Sequence, residues 1–152
     1  MKKLLKYSET STLMGITIEY NGEKINFNLF DEIVVDENKI NHEIKVQPSS
    51  YAFLNMLYKK LIRVSKDKEK TMERKYAHLF IKYKSETDPL TNRPFNNDIA
   101  MEMVKKNKEY QKSLTDYHDA QHNADILEVC VKAFEQRYSL IQTLSANIRK
   151  NG

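Results

Sequence analysis

The feature that most constrains this 152-residue chain is the placement of its helix breakers. Its three prolines are Pro48, Pro89 and Pro94, and its three glycines are Gly15, Gly22 and Gly152. Residues 49–88 and 95–151 therefore contain neither. In a helix interior Gly costs about 1 kcal/mol and Pro about 3 kcal/mol relative to Ala, so both stretches are free to become long helices. Pro48 followed by Ser49 and Ser50 reads as a stop and a capped start. The pattern predicts a helix over 49–84, roughly 50 Å long at a rise of about 1.5 Å per residue. Asp88-Pro89-Leu-Thr-Asn-Arg-Pro94 then predicts a loop over 85–96.

Beyond the loop, Asn97 or Asp98 is placed to cap a helix running to about residue 119, with Ile99, Met103 and Tyr110 among its apolar positions. A further helical stretch, about 124–149, carries Leu127, Cys130, Phe134, Ile141, Leu144 and Ile148 at near-heptad spacing. The pattern leaves open whether 97–149 is one helix or two, with Asn123-Ala-Asp125 as the candidate interruption.

The first third of the chain reads differently. Residues 1–13 show no period and are expected to be a flexible lead-in. Ile16, Ile18 and Tyr20 alternate with polar residues, as do Ile25 and Phe27, and Asn21-Gly22 lies between the two runs. Asn-Gly supplies the two positive φ angles of a type I′ turn, so a β-hairpin is predicted within 14–48. The rest of that segment, 31–48, reads as a polar, acidic connection.

The expected fold is thus mainly α: long helices forming a helical-hairpin or coiled-coil-like assembly over 49–152, with a small N-terminal β-hairpin. A long helix with one apolar stripe cannot bury that stripe alone. Self-association is therefore expected, through Leu127, Phe134, Ile141, Leu144 and Ile148.

The predicted helix over 49–84 has a second face. Lys59, Arg63, Lys66, Lys70 and Arg74 are spaced four, three, four and four apart. At about 100° per residue they fall within an arc of roughly 80°. Leu54, Leu57, Leu61, Met72, Tyr76, Leu79 and Tyr83 centre on the opposite side. Lys59–Arg63, Lys66–Lys70 and Lys70–Arg74 are like-charge i,i+4 pairs, each costing about 0.2–0.5 kcal/mol. A polyanion along the stripe turns that repulsion into attraction. The alternative is a solvated face, softened by Asp67, Glu69 and Glu73. Residues 49–88 hold ten Lys/Arg against five Asp/Glu, while the formal net charge of the chain is only +4. The positive charge is local, which points to an electrostatic footprint. Aromatic residues interleave with it, Tyr58, Tyr76, Phe80 and Tyr83 lying beside Lys59, Lys75, Lys82 and Lys84. Stacking on aromatic faces combined with phosphate neutralisation is how sequence-indifferent single-strand binders work. Tyr76, Phe80 and Tyr83 share the apolar side and also fit a core. Tyr83, near the helix end, is the best candidate for an exposed stacker.

Catalytic patterns are sparse. With glycines only at positions 15, 22 and 152 there is no Gly-rich phosphate loop, and no nucleophile–base spacing stands out. His118 and His122 are spaced i,i+4 with Asp119 between them, which approximates a helical zinc hydrolase pattern. The candidates for a third ligand are Asp125 and Glu128, but Asp119 is shorter than the Glu such chemistry uses. The polar surroundings fit a helix surface better. No enzyme activity and no cofactor or metal is expected. Cys130 is the only cysteine, so no intrachain disulfide forms, and its apolar helical face suits a buried thiol. The opening Met1-Lys-Lys-Leu-Leu-Lys has a two-residue apolar run, too short for a signal-peptide core. With a mean hydropathy of −0.69 nothing approaches a membrane span. A cytoplasmic location is expected.

From about Asp31 to the C-terminus the order of elements resembles the phage recombination mediator family of the UvsY type. The likeness lies in Tyr51-Ala-Phe-Leu opening a long Lys-rich helix, an aromatic-basic patch at its end, and a broken loop. It continues in a last helix carrying Leu127-Glu-Val-Cys-Val-Lys-Ala-Phe-Glu-Gln-Arg137 and then Ile141. The resemblance implies a non-enzymatic, ring-forming protein of the host cytoplasm. Such a protein binds single-stranded DNA, contacts a RecA-like recombinase and helps it displace a single-strand-binding protein in recombination and repair. The family's DNA-binding stretch, a basic pair before Tyr and Gly, falls at Ala77-His-Leu-Phe-Ile-Lys-Tyr83-Lys-Ser. There Tyr83 matches and the basic pair and Gly do not, leaving Arg74, Lys75, Lys82 and Lys84 to stand in. The hairpin over 15–28 is an addition to the family pattern. The alternative function is a coiled-coil oligomeric adaptor whose basic stripe docks an acidic protein partner.

Overall fold

A computed structural model describes residues 15–151 of the chain, so the lead-in expected over 1–13 lies outside the described residues. The chain is mainly helical, with long helices and a small two-stranded hairpin. Strands β1 (Gly15–Tyr20) and β2 (Glu23–Asn28) pair antiparallel, Ile16 opposite Phe27 and Ile18 opposite Ile25. Asn21 and Gly22 have φ of 54° and 79°, the two positive angles of the type I′ turn. A Cβ on Gly22 would touch nothing within 4 Å, so the turn selects glycine by its angle and not by space. On one face Thr17 donates to the Asn26 side chain (2.7 Å); on the other Ile18 is wholly buried. That burial is what a two-stranded hairpin needs to persist.

Short helix α1 (Leu29–Ile33) and a 3₁₀ turn (Glu37–Lys39) follow. The Asp36 carboxylate caps that turn by accepting from the Asn38 amide (3.0 Å). This bond, and the ion pair to Lys39 after it, hold its pKa below the ordinary value. Helix α2 then spans Ile40–Ser85, helix α3 Asn97–Lys106 and helix α4 Lys108–Asn151.

Two boundaries differ from the sequence reading. Helix α2 begins at Ile40, so 31–48 is not simply a polar connection, and Pro48 lies inside the helix rather than before it. Pro removes one helical hydrogen bond and presses on the carbonyl four residues back, a cost of about 3 kcal/mol. What offsets it is tertiary: Ile40 and Gln47 are buried, and Glu43 and Gln47 bind α4. The second difference is the break between the C-terminal helices. It falls at Asn107, whose ψ of 125° is non-helical, while Asn123-Ala-Asp125 continues α4 without interruption. Asn107 Oδ1 accepts from the Glu109 and Tyr110 amides (2.9 and 3.2 Å), satisfying the orphan donors of the new helix. The cap of α3 is Asn96, one residue before the expected position, accepting from the Ile99 amide (2.8 Å).

The chain divides into two compact units. One comprises Met1–Lys59 and Asp125–Gly152, the other Lys60–Ala124. In the first, the start of α2 and the end of α4 lie antiparallel: Glu43 meets Arg137, Gln47 meets Phe134 and Arg137, and Tyr51 meets Glu135. Its core is Ile18, Leu29, Ile40, Leu54 and Leu57, with Leu127, Cys130, Val131, Phe134 and Ile141 of α4. The heptad residues Leu127, Phe134 and Ile141 are thus consumed inside the subunit, at 0%, 2% and 2% exposure. They are not the oligomerisation surface expected from sequence. Leu144 is half-buried, and Ile148 keeps 49% of its surface exposed.

In the second unit the later part of α2 meets α3 and the start of α4. Tyr76 stacks near Phe80 and meets Tyr110 edge-on at 5.6 Å, and Lys75 pairs with Glu109. The buried side chains are Leu61, Leu79, Ala100, Val104, Ala120 and Ala124. Of the expected apolar positions of α3 and α4, Met103 and Tyr110 are half-buried, whereas Ile99 is exposed and Ala100 and Val104 take the buried places. Asp88 organises the loop between α2 and α3. Its carboxylate accepts from the Leu90 amide (2.9 Å) and the Thr91 hydroxyl (3.0 Å), and Asn92 takes a φ of 53°.

Candidate nucleic-acid interface

Helix α2 turns its apolar positions inward by 3.6-residue periodicity, and the same period carries its basic stripe outward. Lys59, Arg63, Lys66, Lys70 and Arg74 are all exposed. Lys59 belongs to the first unit, where its ammonium lies 5.5 Å from the Tyr58 ring centroid. The other four belong to the second unit and extend over about 16 Å of helix. Among the described residues, none of these four is in an ion pair. Asp67 and Glu73 nearby are exposed as well.

The division into units sharpens the charge distribution. Lys60–Ala124 holds fourteen Lys/Arg and ten Asp/Glu, while the rest of the chain holds eleven of each. The whole formal excess of +4 belongs to the second unit.

The aromatic-basic end of α2 is only partly open. Lys75 donates to Glu109 at 2.7 Å, a contact that lowers the pKa of Glu109, and Lys84 donates to the Phe95 carbonyl at 2.8 Å. Both lysines thus have partners within the subunit, which a phosphate would have to displace. Tyr83 is half-buried rather than exposed: its hydroxyl accepts from Asn107 Nδ2 at 2.8 Å. Lys82 is exposed, its ammonium 5.7 Å from the Tyr83 ring centroid.

A feature the sequence reading missed adjoins Tyr83. At the α3–α4 break, Tyr83, Met103, Lys106, Asn107, Lys108 and Glu109 line an open cleft of about 520 Å³. The signal was present in Lys105-Lys-Asn-Lys108, a cationic run around a residue suited to capping. Also missed was Arg137, a buried cation on the apolar seam of α4. It bonds Glu43 and Gln47, and its guanidinium carbon lies 5.9 Å from the Phe134 ring centroid. It stands seven residues after Cys130, a heptad place that marks it as inward-facing.

His118 and His122 are both exposed, the His118 ring 5.3 Å from that of Tyr117. Among the described residues no group of three or more His, Cys, Asp or Glu is placed to hold a metal ion. Cys130 is buried, and burial pushes its thiol pKa up to about 11. Among the described residues no helix is long and apolar enough to cross a membrane. No protein-family model, curated protein or solved structure matches the chain.

Proposed function

We propose that this chain is a non-enzymatic single-stranded DNA-binding accessory protein, a recombination mediator that helps a RecA-like recombinase displace a single-strand-binding protein. The observation that carries the DNA-binding part is the exposed run Arg63, Lys66, Lys70 and Arg74, with no carboxylate partner among the described residues. Such a row holds its like charges at a cost that bound phosphates remove. The mediator role rests on the family resemblance of the α2 and α4 sequences. Self-association supplies avidity, since a handful of phosphate contacts per subunit binds weakly alone. With Leu127, Phe134 and Ile141 inside the subunit, it draws on exposed apolar residues such as Val129 and Leu140.

The test is a salt titration of binding to labelled single-stranded and duplex DNA. If all five stripe residues neutralise a phosphate, log K falls with log[salt] at a slope of about −3.5 on single strands. Lys66→Gln with Lys70→Gln makes that slope shallower by about 1.4 and weakens binding uniformly across sequences. An unchanged slope at full affinity leaves the stripe as a solvated face and removes the main support for this function. Competition between DNA and an acidic protein separates nucleic acid from the adaptor alternative.

A further inference from the structure

We propose that the cleft at the α3–α4 break seats one nucleotide of a single strand, its base against Tyr83 and Met103 and its flanking phosphates on Lys106 and Lys108. The proposal rests on the single-strand reading above and adds to it a place where bases, and not only phosphates, are held.

The charges in and around the cleft are already sorted. Glu109 lines it, but its carboxylate is taken by Lys75 at 2.7 Å; beside it Lys105 is taken by Glu102, also at 2.7 Å. Lys106 and Lys108 are exposed and neither is in an ion pair among the described residues; Lys106 adds only at longer range to the positive field that lowers the Glu102 pKa. The Glu109 and Tyr110 amides at the start of α4 are taken by the Asn107 side chain, so anion binding here falls mainly to side chains. Phosphate neutralisation is therefore available from two ammonium groups flanking one residue.

The apolar part suits a base. Met103 and Tyr83 are both half-buried, and the Asn107 carboxamide fixes the tyrosine hydroxyl. A ring held in place before the ligand arrives loses little freedom on stacking. The exposed Lys82 ammonium stands 5.7 Å from the ring centroid and adds a third cation near the site. A thioether packs adaptably against aromatic groups. The cleft is open and shallow, with a volume of about 520 Å³, so a base enters it from the surface.

Fluorescence anisotropy against an oligothymidylate, and against the same oligonucleotide with abasic sites in place of its bases, tests this. The unaltered protein should bind the abasic strand about 5- to 150-fold more weakly, the usual worth of one stacked base. Tyr83→Leu should weaken binding to the intact strand by a similar factor and no longer distinguish the two. Lys106→Gln with Lys108→Gln should weaken both equally and make the salt slope shallower by about 1.4. Circular dichroism checks that each variant folds. Where Tyr83→Leu does not fold, the abasic comparison on the unaltered protein and the lysine pair still decide. Equal binding of both strands by the unaltered protein overturns the proposal, as does undiminished discrimination by Tyr83→Leu. If Lys66→Gln with Lys70→Gln weakens binding while the cleft variants bind normally, the cleft falls and the stripe reading stands. If the unaltered protein binds neither strand, both fall.

Discussion

The two units of this chain use the same long helices for opposite ends. The unit of Met1–Lys59 and Asp125–Gly152 is neutral and buries Ile, Leu, Val, Cys and Phe around an internal arginine. The unit Lys60–Ala124 carries the net charge and buries two leucines, one valine and three alanines. Apolar burial is worth about 25 cal/mol per Å², so the second core contributes less per side chain. There, ring contacts and the capped break at Asn107 supplement a thin seam. The comparison teaches that stability and surface charge are divided along the chain: one unit anchors, and the other leaves its cations outward.

The strongest way to break this comparison is Phe134→Glu. An unpaired carboxylate in the first core costs several kcal/mol, so the variant should lose helical signal and thermal stability outright. A folded, merely less associated protein would show that Phe134 is an assembly residue after all. Next is Arg137→Ala, which leaves Glu43 and Gln47 facing an apolar seam and should cost about 3–5 kcal/mol in a denaturant titration. Arg137→Met with Glu43→Leu should recover part of that loss. Native-state hydrogen exchange sharpens the contrast further. Amides of α2 before Lys59 and of α4 after Asp125 should outlast those of 60–124, and the reverse order would dissolve the distinction.

Smaller effects follow at single side chains. Cys130, with its pKa raised from 9.0 to about 11, should react with a thiol reagent at pH 8 about a hundredfold more slowly than an exposed thiol. The raised value also fixes a sign. The protonated thiol contributes stability that is fully present below pH 9 and lost as pH rises toward 11, so Cys130→Ala should lack that part of the alkaline decline. Least of all, Lys75→Ala removes an exposed pair with Glu109 and should leave the melting temperature within error.

Elements with local signals were legible in the sequence. Asn21-Gly22 specified the hairpin, and Pro89 with Pro94 ended α2 and bounded the loop. The start of α2 was not legible, because Pro48 is a strong local warning outweighed by distant partners, Phe134 and Arg137, nearly ninety residues away. That single miss produced another. With 40–48 read as a connection, the last helix lacked part of its intramolecular partner, and its heptad was turned outward toward another subunit. The break at Asn107 was hidden for a different reason: Lys106-Asn-Lys108 has ordinary helix propensity, and only the geometry of the asparagine cap interrupts it. The basic stripe was legible as a face; that Lys75 and Lys84 are spent internally required knowing where Glu109 and the Phe95 carbonyl lie.

The buried Glu43–Arg137–Gln47 cluster has a consequence for how the first unit finds its own fold. Apolar seams that repeat every seven residues are nearly indifferent to sliding: moved by one heptad, Leu can meet Ile as readily as before. Arg137 is not indifferent. Displaced by seven residues along α2, Gln47 would give way to Ile40 or Leu54, and the guanidinium would be stranded in hydrocarbon. A buried polar contact of this kind selects one alignment among several of similar apolar content. The cluster therefore acts as a zero mark on a repeating scale, trading some stability for a single answer.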